Sequence, residues 1–345
     1  MRDIVFFSAA GMVISALTIQ SSFAEEQPLR VGIVGCDTSH VIAFTNLIND
    51  PAATGSLAKV EVTVAYPGGS PDLPVSRDRL QGFVAQLREK GVKIVDSLDE
   101  LADNADAILL ESVDGRVHLE QFRAVAKSKP VFVDKPVAAS LADALAIFAH
   151  ADKTHTPVFT SSALRFWSSV RDLASQKRAG NVIDCETVGP MPIEAHHPDL
   201  FWYGIHGVEP LFTIMGPGCV SVARTDSDLS AVVVGKWDDG RVGTYRGLKQ
   251  GNAHYAFTAF GLDGITHRSD AGDYKPLMEA ICDFFISGKP PVNREESIEI
   301  YAFMEAADES KRQGGKPVAI AEVIQRAEKS AVNASTSATS GPPAR

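Results

Sequence analysis

The sequence has few cysteines, and their spacing does not indicate a disulfide or a metal site. Four cysteines occur among 345 residues, and no two form a C-x-x-C arrangement. Zinc sites and disulfide frameworks both show recognisable cysteine spacings, so neither is predicted. We interpret the four thiols as small core residues. They are Cys36, Cys185, Cys219 and Cys282.

Basic residues are scarce relative to acidic ones. Lys and Arg number 33 against 43 Asp and Glu, which gives a formal net charge of −10. Because such a chain repels phosphates, we do not expect nucleic acid as a partner. Hydrophobic residues at 45% and charged residues at 22% are typical of a globular protein. The length predicts about two domains.

No apolar run is long enough to span a membrane. The N-terminal run at 4–19 is interrupted by Ser and Gly and is shorter than the ~20 residues a bilayer requires. Arg2 precedes this run, and small residues at 22 and 24 suit a signal peptidase. Residues 1–24 therefore predict a cleaved signal peptide rather than a membrane anchor. A twin-arginine pair is missing, so we expect export of the unfolded chain to the periplasm or beyond, free of the membrane.

From residue 29 onward, short apolar runs alternate with segments of helical periodicity. Strands and helices that alternate in this way form a parallel, doubly wound sheet. Residues 28–162 therefore predict a Rossmann-like α/β domain. The predicted strands are 29–36, 60–66, 92–95, 107–110, 131–133 and 158–160.

After residue 162 the pattern changes. The predicted strands here are 182–188, 231–237, 242–245 and 254–261, and no helix-length pattern separates the last three. We expect a mainly antiparallel sheet in an α+β domain over 163–325. An exposed face of that sheet would favour a homo-oligomer. Residues 330–345 are mostly small and polar, which predicts a disordered tail.

Lys135 occupies the position in the first domain where chemistry is expected. Parallel sheets bind ligands at the carboxyl ends of their strands, and Lys135 directly follows a buried strand, between Asp134 and Pro136. An ammonium group there either faces the cleft or only pairs with Asp134, and the residues alone leave both interpretations open.

His206 is the corresponding candidate in the second domain. It lies between Gly204 and Gly207, which leave room for a ligand, although a core histidine is the alternative. The neighbouring pair His196 and His197 suggests a metal, but adjacent residues do not easily bind one ion and no third ligand has suitable spacing. No metal is predicted.

Five segments in this order resemble the Gfo/Idh/MocA oxidoreductases, and the resemblance covers about residues 29–325. It implies an NAD(P)-binding Rossmann domain and a C-terminal domain whose open sheet forms the substrate wall and often the oligomer interface. It also implies a small sugar, inositol or other polyol as substrate. The segments are VGIVGC at 31–36, VFVDKP at 131–136, LRF at 164–166, GIHGVE at 204–209 and AADES at 306–310.

The resemblance also implies roles for individual residues. Lys135 matches the lysine that holds the reacting oxygen near the nicotinamide, and His206 matches the histidine that acts as general acid and base. A carbinol needs a base that titrates near neutral pH, as histidine does, and an ammonium group stabilises the developing alkoxide. The expected contacts of NAD or NADP are Gly32, Gly35, Asp37, Thr38, Ser39, His40, Ser112, Asp134 and Lys135. The expected substrate contacts are Arg165, His196, His197, Trp202 and Tyr203.

The dinucleotide fingerprint G-x-G-x-x-G is incomplete. Aligned on Gly35, its second glycine is Asp37 and its third is His40. Asp37 brings negative charge towards a phosphate. Moreover, Asp37, Thr38 or Ser39 would cap the next helix at the N–H groups that a phosphate uses. The acidic residue expected after the second strand, which would hold a ribose, is also missing.

Two functions remain open from the sequence. The first is an NAD(P)-dependent oxidoreductase that acts on a sugar or polyol through Lys135 and His206. The second keeps the fold and the cleft without a cofactor, as an exported carbohydrate-binding protein or as a lyase or hydrolase that uses the same pair. Trp202 stands where the family often has an aspartate, and it offers stacking on a sugar face rather than a proton relay. The length of the resemblance favours the oxidoreductase.

Overall fold

The computed structural model describes residues 27–251, 254–269 and 271–339. The predicted signal peptide therefore lies outside the described residues. Among the described helices, none combines the length and the apolar character that a membrane crossing requires.

The N-terminal domain is built on a parallel sheet of six strands in the order β3-β2-β1-β4-β5-β6. The strand order reverses between β1 and β4, and such sheets bind ligands in the crevice beyond the strand ends at this point. The predicted doubly wound sheet is confirmed. Its strands are β1 (Leu29–Val34), β2 (Val60–Tyr66), β3 (Lys93–Ile94), β4 (Ala107–Leu110), β5 (Val131–Val133) and β6 (Val158–Thr160).

Five helices connect these strands. Ser97 and Ser140 cap two of them by accepting the N–H groups of Glu100 and Asp143, which fixes where each helix begins. The helices are α1 (His40–Ile48), α2 (Pro74–Glu89), α3 (Leu98–Asn104), α4 (His118–Val125) and α5 (Leu141–Thr154).

The second sheet has seven strands in the order β12-β11-β7-β10-β9-β8-β13. Among the described strands of this sheet, only β7 and β10 pair in parallel, so the mainly antiparallel prediction is confirmed. The strands are β7 (Val182–Pro190), β8 (Cys219–Asp226), β9 (Ser230–Trp237), β10 (Val242–Leu248), β11 (Ala256–Gly261), β12 (Gly264–Arg268) and β13 (Val318–Ala319).

Strand β8 was not predicted because a charged side chain fills one of its inward positions. Arg224 is buried there, and its guanidinium group forms ion pairs with Asp199, Asp226 and Asp308 at 2.5–2.7 Å. A buried arginine needs such partners, and in the sequence it breaks the apolar alternation that marks a strand.

The remaining helices do not all follow the predicted domain boundary. α8 falls within 163–325, yet Leu277, Ile281 and Phe284 on its apolar face are buried in the core of the N-terminal sheet. Phe284 packs edge-on against Phe159 of β6 at 4.9 Å between ring centroids. An apolar stripe predicts a buried helix face but not which sheet it covers. The helices are α6 (Ser168–Ala174), α7 (Ile205–Met215), α8 (Lys275–Ser287), α9 (Arg294–Arg312) and α10 (Ile320–Thr339).

The C-terminal helix α10 extends beyond the predicted start of the tail. A disordered tail is predicted from residue 330, whereas the helix continues to Thr339. Its buried residues Ile320, Val323 and Ala327 join the core and fix the first turns. Alanine favours continuation of the helix in the segment that follows. Residues 340–345 lie outside the described residues.

Candidate active site between the two sheets

A cavity of about 580 Å³ lies beyond the carboxyl ends of the parallel strands. Loops of the N-terminal domain form one side, and the segments around residues 192–206, 255 and 272–274 form the other. This is the switch-point position expected from the strand order. The cavity brings together seven of the predicted site residues, namely Thr38, Ser39, His40, Lys135, Trp202, Tyr203 and His206.

Five predicted cofactor contacts lie behind the cavity lining. Gly32 packs against Leu101 of α3, and Gly35 has a φ of +86°, where a Cβ would overlap the side chain of Ser112. Asp37, Ser112 and Asp134 are buried as well. These residues shape the turn after β1 and the loops beside it rather than facing the cavity.

Three predicted substrate contacts also lie outside the lining. Arg165 forms ion pairs with Glu209 at 2.7 Å and Glu296 at 2.6 Å. The Nδ1 atom of His196 lies 2.6 Å from Glu194. The buried Nε2 atom of His197 lies 3.2 Å from Asp114. Each side chain has an acidic neighbour that the sequence did not reveal, and these neighbours hold the three residues away from the cavity.

Several cavity residues were missed by the sequence analysis. Trp167, Tyr255, Asp273 and Tyr274 line the cavity but belong to no motif. Tyr274 immediately precedes α8, so it reaches the cavity only because α8 packs on the N-terminal sheet. Only the tertiary structure could have identified these residues.

His206 presents one ring nitrogen to the cavity. It lies in the first turn of α7, where a Cβ at Gly207 would collide with the ring of Tyr245. Its Nδ1 atom is 2.7 Å from the hydroxyl of Ser162, and its Nε2 atom has no hydrogen-bond partner among the described residues. Burial lowers the pKa of His206 well below the usual value of 6.5, and the nearby ammonium of Lys135 lowers it further. The imidazole is therefore neutral at pH 7 and can accept a proton.

Glu209, one turn further along α7, holds the segment that contacts His206. Its carboxylate accepts hydrogen bonds from the hydroxyl of Ser161 at 2.5 Å, the N–H of Ser162 at 2.6 Å and Nε of Arg165 at 2.7 Å. Ser162 is thereby fixed at the end of β6, with its hydroxyl directed at His206. This series of hydrogen bonds links the two domains beside the cavity.

Replacing Ser162 with Ala should lower kcat by roughly 3–10-fold with little change in KM, because one hydrogen bond that orients the imidazole is lost. Ser162→Thr keeps the hydroxyl and should restore most of the rate. Ser175→Ala removes an exposed hydroxyl outside the Glu209 network and is the control, which should keep the wild-type rate. Steady-state kinetics check this expectation, and a wild-type kcat in Ser162→Ala would show that Ser162 does not orient His206.

Lys135 both lines the cavity and lies near Asp134. Its Nζ atom is 3.8 Å from Oδ2 of Asp134, beyond hydrogen-bonding distance. Burial raises the pKa of Asp134, but the charges of His40 and Lys135 outweigh burial and hold that pKa well below its usual range. The ammonium therefore has a loosely placed counter-ion and is available to a ligand oxygen.

Of the three residues expected to cap helix α1, Asp37 does not do so. Its carboxylate accepts hydrogen bonds from the hydroxyl of Ser76 at 2.5 Å and the N–H of Val113 at 3.0 Å, so it joins the loops after β2 and β4. Ser39 at the N-cap accepts no hydrogen bond through its side chain. Among the described residues, the start of α1 has one side-chain hydrogen bond, which the N–H of His40 donates to Thr38 at 3.4 Å.

The residues present therefore fit the phosphates of a dinucleotide. The start of α1 opens on the cavity at Thr38, Ser39 and His40, and the cations Arg79 and Lys135 share the lining. N–H groups at a helix start, together with nearby cations, form an anion site. The carboxylate of Asp37 is buried and hydrogen-bonded, which relieves the repulsion between Asp37 and a phosphate that the sequence predicts.

Comparison with known proteins identifies part of this domain. Residues 70–162 match the model of a family described as "Oxidoreductase family, NAD-binding Rossmann fold" (GFO_IDH_MocA). The resemblance to the Gfo/Idh/MocA oxidoreductases is confirmed. The match begins after residues 35–40, where the glycine fingerprint of the family is incomplete. No curated protein matches the chain.

Solved structures of this fold cover most of the chain. A probable dehydrogenase from Thermotoga maritima is 22% identical with a TM-score of 0.70 and covers 86% of this chain and 100% of its own. A putative myo-inositol dehydrogenase from Sinorhizobium meliloti is 13% identical with a TM-score of 0.71, at 85% and 99% coverage. Myo-inositol dehydrogenase from Lactobacillus casei, solved with NAD(H) and myo-inositol, is 15% identical with a TM-score of 0.68, at 85% and 97% coverage. At these identities the likeness shows the shared two-domain fold.

Proposed function

We propose that this chain is an NAD(P)-dependent oxidoreductase that interconverts a hydroxyl and a carbonyl group on a sugar or polyol. The observation that carries this proposal is that Lys135 and His206, from different domains, line one cavity beside the open start of α1. When bound, the nicotinamide dinucleotide supplies the hydride acceptor or donor. Residues 38–40 and Arg79 would hold its phosphates.

The two side chains divide the acid–base work between them. The neutral imidazole of His206 accepts the hydroxyl proton at Nε2, while Ser162 holds Nδ1. The ammonium of Lys135 donates a hydrogen bond to the same substrate oxygen and stabilises the negative charge that develops there. In the reverse direction, His206 returns the proton to that oxygen.

The cavity walls favour a ring-shaped polyol as substrate. Trp202, Tyr203, Tyr255 and Tyr274 contribute aromatic faces, and the Tyr hydroxyls provide hydrogen-bonding groups. Aromatic faces pack on the C–H faces of sugars, and polar groups select among the hydroxyls. The Lactobacillus casei neighbour was solved with such a ligand.

A cofactor-free function is the alternative, and the observation that favours it is the incomplete glycine fingerprint, with Asp37 and His40 in place of its second and third glycines. Two experiments on protein purified from the exported fraction distinguish these functions. They are ultraviolet and fluorescence spectra of the protein and a titration with NAD and NADP. We expect one dinucleotide per chain and turnover of a sugar or polyol, followed by nicotinamide absorbance. A clean protein spectrum that neither dinucleotide changes would contradict the proposal and support a binding protein, lyase or hydrolase.

A further inference from the structure

A buried polar cluster lies beneath the cavity, where three neighbouring strands end. His40 follows β1, Glu111 follows β4 and Asp134 follows β5, and all three are buried. One nitrogen of His40 and one oxygen of each carboxylate lie within 4.8 Å of one another. Nδ1 of His40 is 2.7 Å from Oδ2 of Asp134 and 3.9 Å from Oε2 of Glu111.

Glu111 has no hydrogen-bond partner in the part of the chain that the structure describes. Its side chain is fully buried, and neither carboxylate oxygen is bonded to any described residue. Oδ1 of Asp134 is unpartnered as well. A buried carboxylate without a donor or counter-ion is costly, so such groups are normally paired or bound to a metal.

The nearest cation does not satisfy this cluster. Lys135 lies 3.8 Å from Asp134 and forms no ion pair with Glu111 among the described contacts. His40 directs Nδ1 to Asp134 at 2.7 Å and lies 3.9 Å from Glu111, so neither His40 nor Lys135 donates a hydrogen bond to Glu111. A proton on Glu111 would remove its charge but would leave both oxygens without a partner.

We propose that His40, Glu111 and Asp134 bind one divalent transition-metal ion, with Zn²⁺ and Mn²⁺ as the best candidates. One imidazole and two carboxylates suit these ions, whereas Ca²⁺ and Mg²⁺ prefer sites built from oxygen alone. Two ligand atoms that each lie about 2.1 Å from one ion are about 3 Å or more apart, so the ion replaces the His40–Asp134 hydrogen bond.

The sequence gives no sign of this site because its ligands are far apart along the chain. His40 replaces the third glycine of the fingerprint, and its ring also lines the cavity. The ion would therefore tie the loops after β1, β4 and β5 together directly beneath the reacting groups. This inference does not depend on the proposed redox reaction.

The test uses the chain without an affinity tag, stripped with a chelator and titrated with Zn²⁺, Mn²⁺ and Co²⁺. We expect one ion per chain, a visible Co²⁺ absorption band and a rise in Tm that grows with metal concentration. Ca²⁺ and Mg²⁺ should have little effect. Glu111→Gln should weaken binding about 100-fold. In the metal-free state it should raise Tm, because it removes the unpaired carboxylate.

His196→Ala provides the matched control. His196 lies at the surface beside Glu194 and Asp72, an arrangement that collects metal adventitiously. This variant should bind one ion as the wild type does. The proposal is overturned if the wild type binds no ion and its Tm does not change when any of the three metals is added. It is also overturned if His196→Ala abolishes binding while Glu111→Gln retains it.

Discussion

Replacing His206 with Ala should lower kcat by about 10²–10⁴-fold, because the general base is lost. The imidazole is the only histidine ring in the cavity with Nδ1 held by Ser162 and Nε2 unpartnered among the described residues. Substrate binding should change much less, since the aromatic walls remain. Steady-state kinetics on the substrate found by the turnover screen measure both quantities.

The pH profile gives an independent check on His206. Because burial holds its pKa well below 6.5, the imidazole stays neutral as the pH falls through 6.5. The acid limb of kcat/KM should therefore lie below the pH expected for an exposed histidine. His155→Asn, at an exposed helix end, is the control and should keep wild-type rates. Wild-type turnover in His206→Ala would remove this residue from the mechanism.

Replacing Lys135 with Met should lower kcat by about 10²–10³-fold, the usual cost of losing one donor to a developing oxyanion. Methionine keeps the length and the apolar stem of the side chain, so the cavity should keep its shape. Kinetics and a thermal unfolding curve separate a lost charge from lost structure. We expect Tm to change by only a few degrees.

Two further variants sharpen the lysine result. Lys135→Arg keeps a positive charge but places a planar guanidinium group in a space shaped for an ammonium, so it should restore little activity. Lys153→Met removes an exposed lysine from α5 and should behave as the wild type. Retention of more than half the activity in Lys135→Met would contradict its assignment to the reacting oxygen.

Most of the parallel sheet was predictable because its strands are short apolar runs that end at polar loops. β2, β4, β5 and β6 begin and end where the sequence predicts. β8 was missed because Arg224 interrupts its apolar pattern. α8 lies within the residues of the predicted C-terminal domain but packs on the N-terminal sheet. Hydrophobic periodicity identifies a helix or strand, whereas the surface against which it packs depends on the whole fold.

The site was predictable where a residue follows a strand or begins a helix between glycines. Lys135 and His206 met these conditions and line the same cavity. Glu111 also directly follows a strand, but it stands out only because its buried carboxylate has no hydrogen-bond partner among the residues that the structure describes. Arg165 and His197 were expected in the cavity, and their acidic partners Glu209 and Asp114 hold them elsewhere. Such pairings between distant residues leave no pattern in the sequence.

A crystal structure of the chain with dinucleotide and substrate bound tests the central claim most directly. The quantity to measure is the distance from the reacting substrate oxygen to Nζ of Lys135 and to Nε2 of His206. We expect both distances to be about 2.6–3.2 Å, with the dinucleotide phosphates at the start of α1. A substrate that occupies the cavity with its hydroxyls directed away from both side chains, or that binds elsewhere, would contradict the account.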